Sequence, residues 1–261
     1  MLFIDADILS YRIGFACQDE TLDVACSQLN NLVMDTLVRG CDDAAPYQLY
    51  LTGKGNFRND LATIQPYKGN RKSEKPAHFY ALRDYMVEKW DAFVVEGQEA
   101  DDEIAIAATL HGHDSVIASI DKDFLQVPCR HYNFNKYEWT TVTEWEGVYF
   151  LYKQMLTGDR VDNIQGCVGI GEVKATKALE WCTSEEDLYQ SVLTCYKGDT
   201  EALYENARLL FLRRYQGEWW VDPATRKAEH GGANPIGGTP PPAPSSADID
   251  SKEKLQVRVS K

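Results

Sequence analysis

Three apolar residues, "LFI" at 2–4, open the chain and run straight into Asp5. That is the pattern of a short strand ending at an acid. An alanine-rich, mostly polar helical pattern follows and breaks around Gly40 to Pro46. Further apolar runs at 47–51 ("YQLYL"), 92–95 ("AFVV"), 115–120 ("SVIASI") and 130–134 ("RHYNF") read as strands. Between two of them, "EGQEADDEIAIAATLHG" reads as a helix with its acids at the N-terminus, where a helix tolerates negative charge, and its end before Gly112. Helical patterns dominate from 144 to about 216. Strands alternating with helices at this spacing predict an α/β fold: a central, mostly parallel sheet with helices on both faces. One domain is expected over 1–220, followed over 228–261 by a flexible Gly/Pro-rich tail too poor in apolar residues to fold.

Charge complicates this picture. The 261 residues carry a formal net charge of −13, which argues against a polyanionic partner unless the acids are gathered in one place. Residues 52–89 run the other way, with Lys54, Arg58, Lys68, Arg71, Lys72, Lys75, Arg83 and Lys89 against four acids. This stretch is read as a polyanion contact or a solvated excursion. Seven cysteines in no ligand-like spacing suggest reduced thiols. No apolar run approaches the ~20 residues of a membrane helix, so a soluble, unanchored, cytoplasmic protein is expected.

The acids fall where sites form, at the carboxyl ends of predicted strands and at one helix start. Asp5 follows the first strand, and Asp121 and Asp123 follow the run at 115–120. Glu99, Asp102 and Glu103 share one face of a helix in which Asp101 is turned aside; Asp159 and Asp162 share another if their turn is helical. So many carboxylates need compensating cations. An oxygen-only donor set favours magnesium or manganese over zinc. Two ions about 4 Å apart would suit phosphodiester hydrolysis.

"GCVGIG" at 166–171 lacks the GK-Ser/Thr of a Walker loop. Its glycines 166, 169 and 171 suit a tight hairpin between two short helices, whose backbone could approach a phosphate chain without reading bases. Lys174 and Lys177 follow on one helix face. A purely structural turn is the rival reading.

In family order, "FIDAD", "QPYKGNRKSEKP", "VEGQEADDEIA", "SIDKDF" and "GDRVDNIQGCVGIG" resemble the flap endonuclease and 5′-3′ exonuclease family in its bacteriophage form, over about residues 2–180. The resemblance implies a PIN/FEN-like fold with a helix-hairpin-helix over about 150–182 and a small helical arch over about 65–90. It implies a metal-dependent nuclease acting at or near 5′ ends of duplex or branched DNA, and possible action on RNA primers in RNA-DNA hybrids. Asp5, Glu99, Asp101 and Asp102 would serve mainly one Mg²⁺ or Mn²⁺ ion, and Asp121, Asp123, Asp159 and Asp162 the other or its water shell. Lys68 would contact the scissile phosphate, with Arg71 and Arg83 positioning the 5′ strand. Gly166, Gly169, Gly171, Lys174 and Lys177 would grip the duplex, with a K⁺ ion at the hairpin. A monomer is implied.

Two features depart from the family pattern. Thr52 and Gly53 stand where many relatives have a further metal-site acid, with Asp7 as a neighbour that could compensate; Val168 replaces the usual proline. A non-catalytic DNA-structure-binding module and a PIN-type ribonuclease therefore stay open as alternatives.

Overall fold

A computed structural model describes residues 1–41, 45–72 and 74–230, without the side chains of 228–230. The first strand, β1 (Leu2–Asp5), leads directly into α1 (Ala6–Ala16) and, after a break at 17–21, α2 (Leu22–Gly40). The single helical pattern of the sequence is thus two helices. Thr21 starts the second by accepting from the Val24 amide at 3.4 Å, and Ala25, Leu29, Val33, Thr36 and Gly40 form its buried stripe. There follow β2 (Tyr47–Thr52), α3 (Phe57–Leu61), α4 (Phe79–Trp90), β3 (Phe93–Val95), α5 (Ala100–His111) and β4 (Val116–Ala118). A 3₁₀ turn (Lys122–Gln126), β5 (Arg130–Asn133) and β6 (Glu138–Thr141) complete the sheet region. The rest is helical: α6 (Glu144–Thr157), α7 (Glu172–Leu179), α8 (Glu185–Cys195), α9 (Thr200–Leu210) and α10 (Pro223–His230).

The sheet order is β3-β2-β1-β4-β5-β6, parallel except for β6. The expected α/β architecture is therefore present. From β1 the chain winds outward to β3 on one side and from β4 outward on the other. The switch point lies between β1 and β4, at whose carboxyl ends a crevice opens. The antiparallel edge strand β6 was not foreseen, because its residues are all exposed and carry no apolar alternation.

Period-two alternation separates the two faces of the sheet. Leu2, Ile4, Leu49, Leu51, Val116 and Ala118 pack with α1, α2 and α4. Phe3, Tyr50 and Ile117 pack with Ala100, Ile104, Ala105 and Ala108 of α5. A third apolar cluster joins α6 to α9, with Tyr152, Met155, Leu179, Leu188, Val192 and Leu203 at its centre.

Two sequence expectations change here. Half of the segment predicted as an arch, α4, is a core helix: Leu82 and Met86 are fully buried against α1 and α2. Ahead of α4, Tyr67 is itself buried in the cluster formed by α6 to α9. The predicted tail overlaps the end of α10 at 228–230, and its remainder, 231–261, lies outside the described residues. Cys17, Cys26, Cys129, Cys167, Cys182 and Cys195 are free thiols, and among the described residues no helix is long and apolar enough to cross a membrane.

Candidate active site

Asp5 ends β1 at the switch point, 2% exposed. The Ser119 hydroxyl, just beyond β4, donates to its Oδ2 at 2.8 Å, while its Oδ1 is buried without any hydrogen-bond partner. Burial first, then the charges of Asp7 and Asp121, push Asp5 up to about 7. Asp101 at the start of α5 is held well above the usual range by burial and by Asp5, Asp121 and Glu99. Asp121 is raised by its surroundings and by Asp162 and Asp159, although its side chain reaches solvent. Asp123, half-buried, is pushed up to about 7 by burial, Asp121 and Asp159. These four carboxylates, from the ends of β1 and β4 and the start of α5, repel one another in a single crevice.

The remaining acids have cations of their own. Glu99 keeps its pKa below the ordinary value despite burial, because Lys68 and Arg58 stand beside it. Lys68 pairs with Glu99 and lies 3.6 Å from Asp162, and these two acids outweigh burial to raise its pKa. Tyr67, 8% exposed, sets its hydroxyl 2.7 Å from both Glu99 and Asp162. Asp159 stays low although buried, held by Lys122 at 2.8 Å and by the amides of Val161 and Asp162. Arg71 reaches Asp162 at 2.7 Å and is half exposed. Lys68 itself sits at φ +55, an unusual conformation for a side-chain-bearing residue, with its amide donating to the Asp162 carbonyl at 2.9 Å.

Two predicted placements are corrected. Asp102 is not part of the cluster. Both of its oxygens take Arg58, at 2.5 and 2.9 Å, and Oδ1 also takes the Arg213 amide at 3.2 Å. The helical face was mis-phased because Glu99 is the extended N-cap and α5 begins only at Ala100, so Asp101 points to the acids and Asp102 into the protein. Arg58 is correspondingly no surface cation. It is 2% exposed and also donates to the carbonyls of Leu209 at 2.9 Å and Phe211 at 2.8 Å, tying the end of α9 to α5.

The missing acid at Thr52 also has a structural account. The Thr52 hydroxyl accepts from the Ala100 amide at 2.9 Å and so caps α5 from outside. Asp7 accepts from the Thr52 amide at 3.0 Å and pairs with Arg83, which also donates to the Thr52 carbonyl. Arg83 therefore stands at the end of β2 rather than beside Lys68.

The acidic turn and the glycine run are one unit. Gly158, at φ +68, ends α6; Asp159 and Ile164 exchange backbone hydrogen bonds of 2.8 and 2.7 Å; the Cys167 amide donates back to the Leu156 carbonyl at 2.9 Å. Gly166, at φ +67, lies so close to Gly158 that a β-carbon would meet its amide nitrogen at 2.3 Å. Gly169 and Gly171 have open space where a β-carbon would be, and Lys174 donates to the Gly169 carbonyl at 2.8 Å. Lys177 and Val168 are exposed. A backbone approachable from outside is thereby fastened to Asp159 and Asp162.

Among the described residues no three or more Asp, Glu, His or Cys side chains are already closed into an ion cage. The site nevertheless fits a divalent cation: the donors are all hard oxygens, and Asp5 holds a buried carboxylate oxygen with no partner. Tyr67 and the Arg58–Asp102 pair were missed as site supports. Tyr67 lies inside the motif "QPYKGNRKSEKP" and could have been flagged, whereas nothing in the sequence marks Arg58 as buried.

No family model matches the chain. It is 33% identical over 241 residues to DNA polymerase I of Caldicellulosiruptor bescii, covering 82% of this chain and 28% of that protein. It is 31% identical over 139 residues to flap endonuclease Xni of Pectobacterium atrosepticum, covering 49% of this chain and 52% of that one. The chain thus spans about a quarter and about half of these curated relatives. In fold it is similar to the bacteriophage T5 flap endonuclease, solved as a pseudo-enzyme-product complex with DNA and metal ions. There the TM-score is 0.60, with 16% identity, over 100% of this chain and 99% of that one.

Proposed function

We propose that this chain, similar in sequence and in fold to the flap endonuclease and 5′-3′ exonuclease family, is a divalent-metal-dependent 5′ nuclease. It hydrolyses phosphodiesters at or near 5′ ends of duplex or branched DNA. The observation that carries this reading is the convergence of Asp5, Asp101, Asp121 and Asp123 at the sheet's switch point, with an unpartnered carboxylate oxygen among them. Mg²⁺ or Mn²⁺ ions held by these acids, with Glu99, Asp159 and Asp162 around them, would neutralise charge on the phosphate and make attacking water more nucleophilic.

The chain's own residues do the rest. Lys68 keeps its proton at neutral pH and stands at the crevice beside Glu99 and Asp162, where it stabilises negative charge on the phosphate. Arg71, half exposed on Asp162, is free to swing onto a strand backbone. Arg83 with Asp7 shapes the wall at β2, a step away from the reacting phosphate. The open glycines 169 and 171, with Lys174 and Lys177, hold the duplex without reading sequence. We extend the proposal to K⁺ at the hairpin, to RNA-DNA hybrids as substrates, to a monomer and to a cytoplasmic setting.

The test follows 5′-labelled blunt duplex and 5′-flap DNA with Mg²⁺, for wild type and Asp121→Asn, with EDTA controls. Short labelled products only from wild type with metal are expected, their length separating end-trimming from flap cutting. Duplex binding without cleavage in Mg²⁺ or Mn²⁺ would leave a DNA-structure-binding module, with Thr52 as the lost acid. Cleavage of free single-stranded RNA in preference to duplex DNA would turn the reading to a PIN-type ribonuclease.

A further inference from the structure

Gln126, on the 3₁₀ turn, and Gln154, on α6, belong to none of the acidic, basic or glycine motifs. Yet they are only 6% and 4% exposed and are joined in one chain of hydrogen bonds. Gln126 Nε2 donates to the Leu210 carbonyl at 2.8 Å and to Gln154 Oε1 at 2.9 Å, and its Oε1 accepts from the Leu212 amide at 3.1 Å. Gln154 Nε2 donates to Asp123 Oδ1 at 2.7 Å.

The direction of this relay is dictated by backbone. Turning the Gln126 amide over would set its oxygen against the Leu210 carbonyl and its NH₂ against the Leu212 N–H, two buried contacts without a bond. With Gln126 so fixed, Gln154 must offer it an oxygen and turn its NH₂ to Asp123. Gly147 makes the approach possible: a β-carbon there would meet the Gln126 carbonyl at 2.5 Å, and Gln154 lies seven residues on, two turns along the same face of α6.

We infer that Gln154 and Gln126 are positioning residues for the proposed metal centre, an inference that rests on the nuclease reading. They occupy one oxygen of Asp123 and aim the other at the cluster, taking segment 209–213 as their fixed reference. The same segment is gripped on its other carbonyls, Leu209 and Phe211, by Arg58, which also stands 3.5 Å from Glu99. One segment, the end of α9 and the residues just after it, thus sets the orientation of acids at both ends of the crevice.

The test compares wild type with Gln154→Met, Gln126→Met and the double variant, in two readouts: the Mg²⁺ concentration for half-maximal cleavage, and Mn²⁺ binding to DNA-free protein by calorimetry. Both single variants are expected to need about 10-fold more metal or beyond, in both readouts. Gln126 touches no acid, so its effect must pass through Gln154, and the double variant should be no worse than Gln154→Met alone. Melting temperatures that fall while both metal titrations stay at the wild-type position would overturn the inference, as would full additivity in the double. If wild type itself does not cleave, the nuclease reading fails, and the calorimetry still decides whether the relay tunes metal binding.

Discussion

Asp102 spends its carboxylate on Arg58 and the Arg213 amide, while Asp101, one residue earlier, faces Asp5 and Asp121. Their substitutions should therefore separate stability from activity. Asp102→Ala strands a buried guanidinium and is expected to cost about 3–5 kcal/mol in urea unfolding. Asp101→Asn removes a charge from a repelling group; the metal-free protein should be no less stable, and cleavage should be lost. A double change to apolar residues, Arg58→Met with Asp102→Leu, should destabilise less than Asp102→Ala alone. Equal stability losses for Asp101→Asn and Asp102→Ala would contradict these assignments. Both residues sit in "EADD", and sequence could not distinguish them, because the phase of α5 depends on where the helix begins.

At the scale of elements, the hairpin divides its glycines by role. Gly166 is pressed on the Gly158 backbone at φ +67, whereas Gly169, at φ +80, faces open space. Gly169→Ala should cost only the left-handed conformation, about 1–2 kcal/mol. Gly166→Ala adds overpacking of about 1–3 kcal/mol and pries the hairpin from the acidic turn. Thermal unfolding should rank Gly166→Ala well below Gly169→Ala, and metal-dependent cleavage should fall with the former more than its stability alone explains. The "GCVGIG" run made a hairpin legible from sequence. That it is zipped to Asp159 was not legible, since the closure joins residues eight positions apart through backbone alone. The arch fared differently: Leu82 and Met86 of α4 carry a core stripe that a basic local composition obscured.

For the whole molecule, the acid cluster couples folding to pH. Asp5 and Asp123 are both pushed up to about 7 from an ordinary 3.8, so between these values the folded state holds more protons than the unfolded chain. Stability from these groups is fully present below about 4 and is lost as pH rises through about 7, by at most about 1.4 kcal/mol per pH unit for each. Glu99 and Asp159 are shifted the other way, and their contribution is lost as pH falls below the ordinary carboxylate range. In EDTA, unfolding measured by urea titration should thus show maximal stability in mild acid and a decline toward pH 7. Saturating Mg²⁺ should flatten that decline. A metal-free protein as stable at pH 7.5 as at pH 5 would argue that the carboxylates do not converge.

The local order of the chain already determined the five parallel strands, the α/β class, most of the acidic positions and the glycine turn. Each of these is a matter of short-range periodicity, of residue type at an element's end, or of backbone freedom at a glycine. Tertiary structure decided which acids share the crevice, that Arg58 and Asp102 leave it for the interior, that Thr52 caps α5 from a neighbouring strand, and that Gln126 and Gln154 reach Asp123 from segment 209–213. Those contacts join positions 28 to 153 residues apart. They depend on burial and direction, which arise only when the helices close on the sheet.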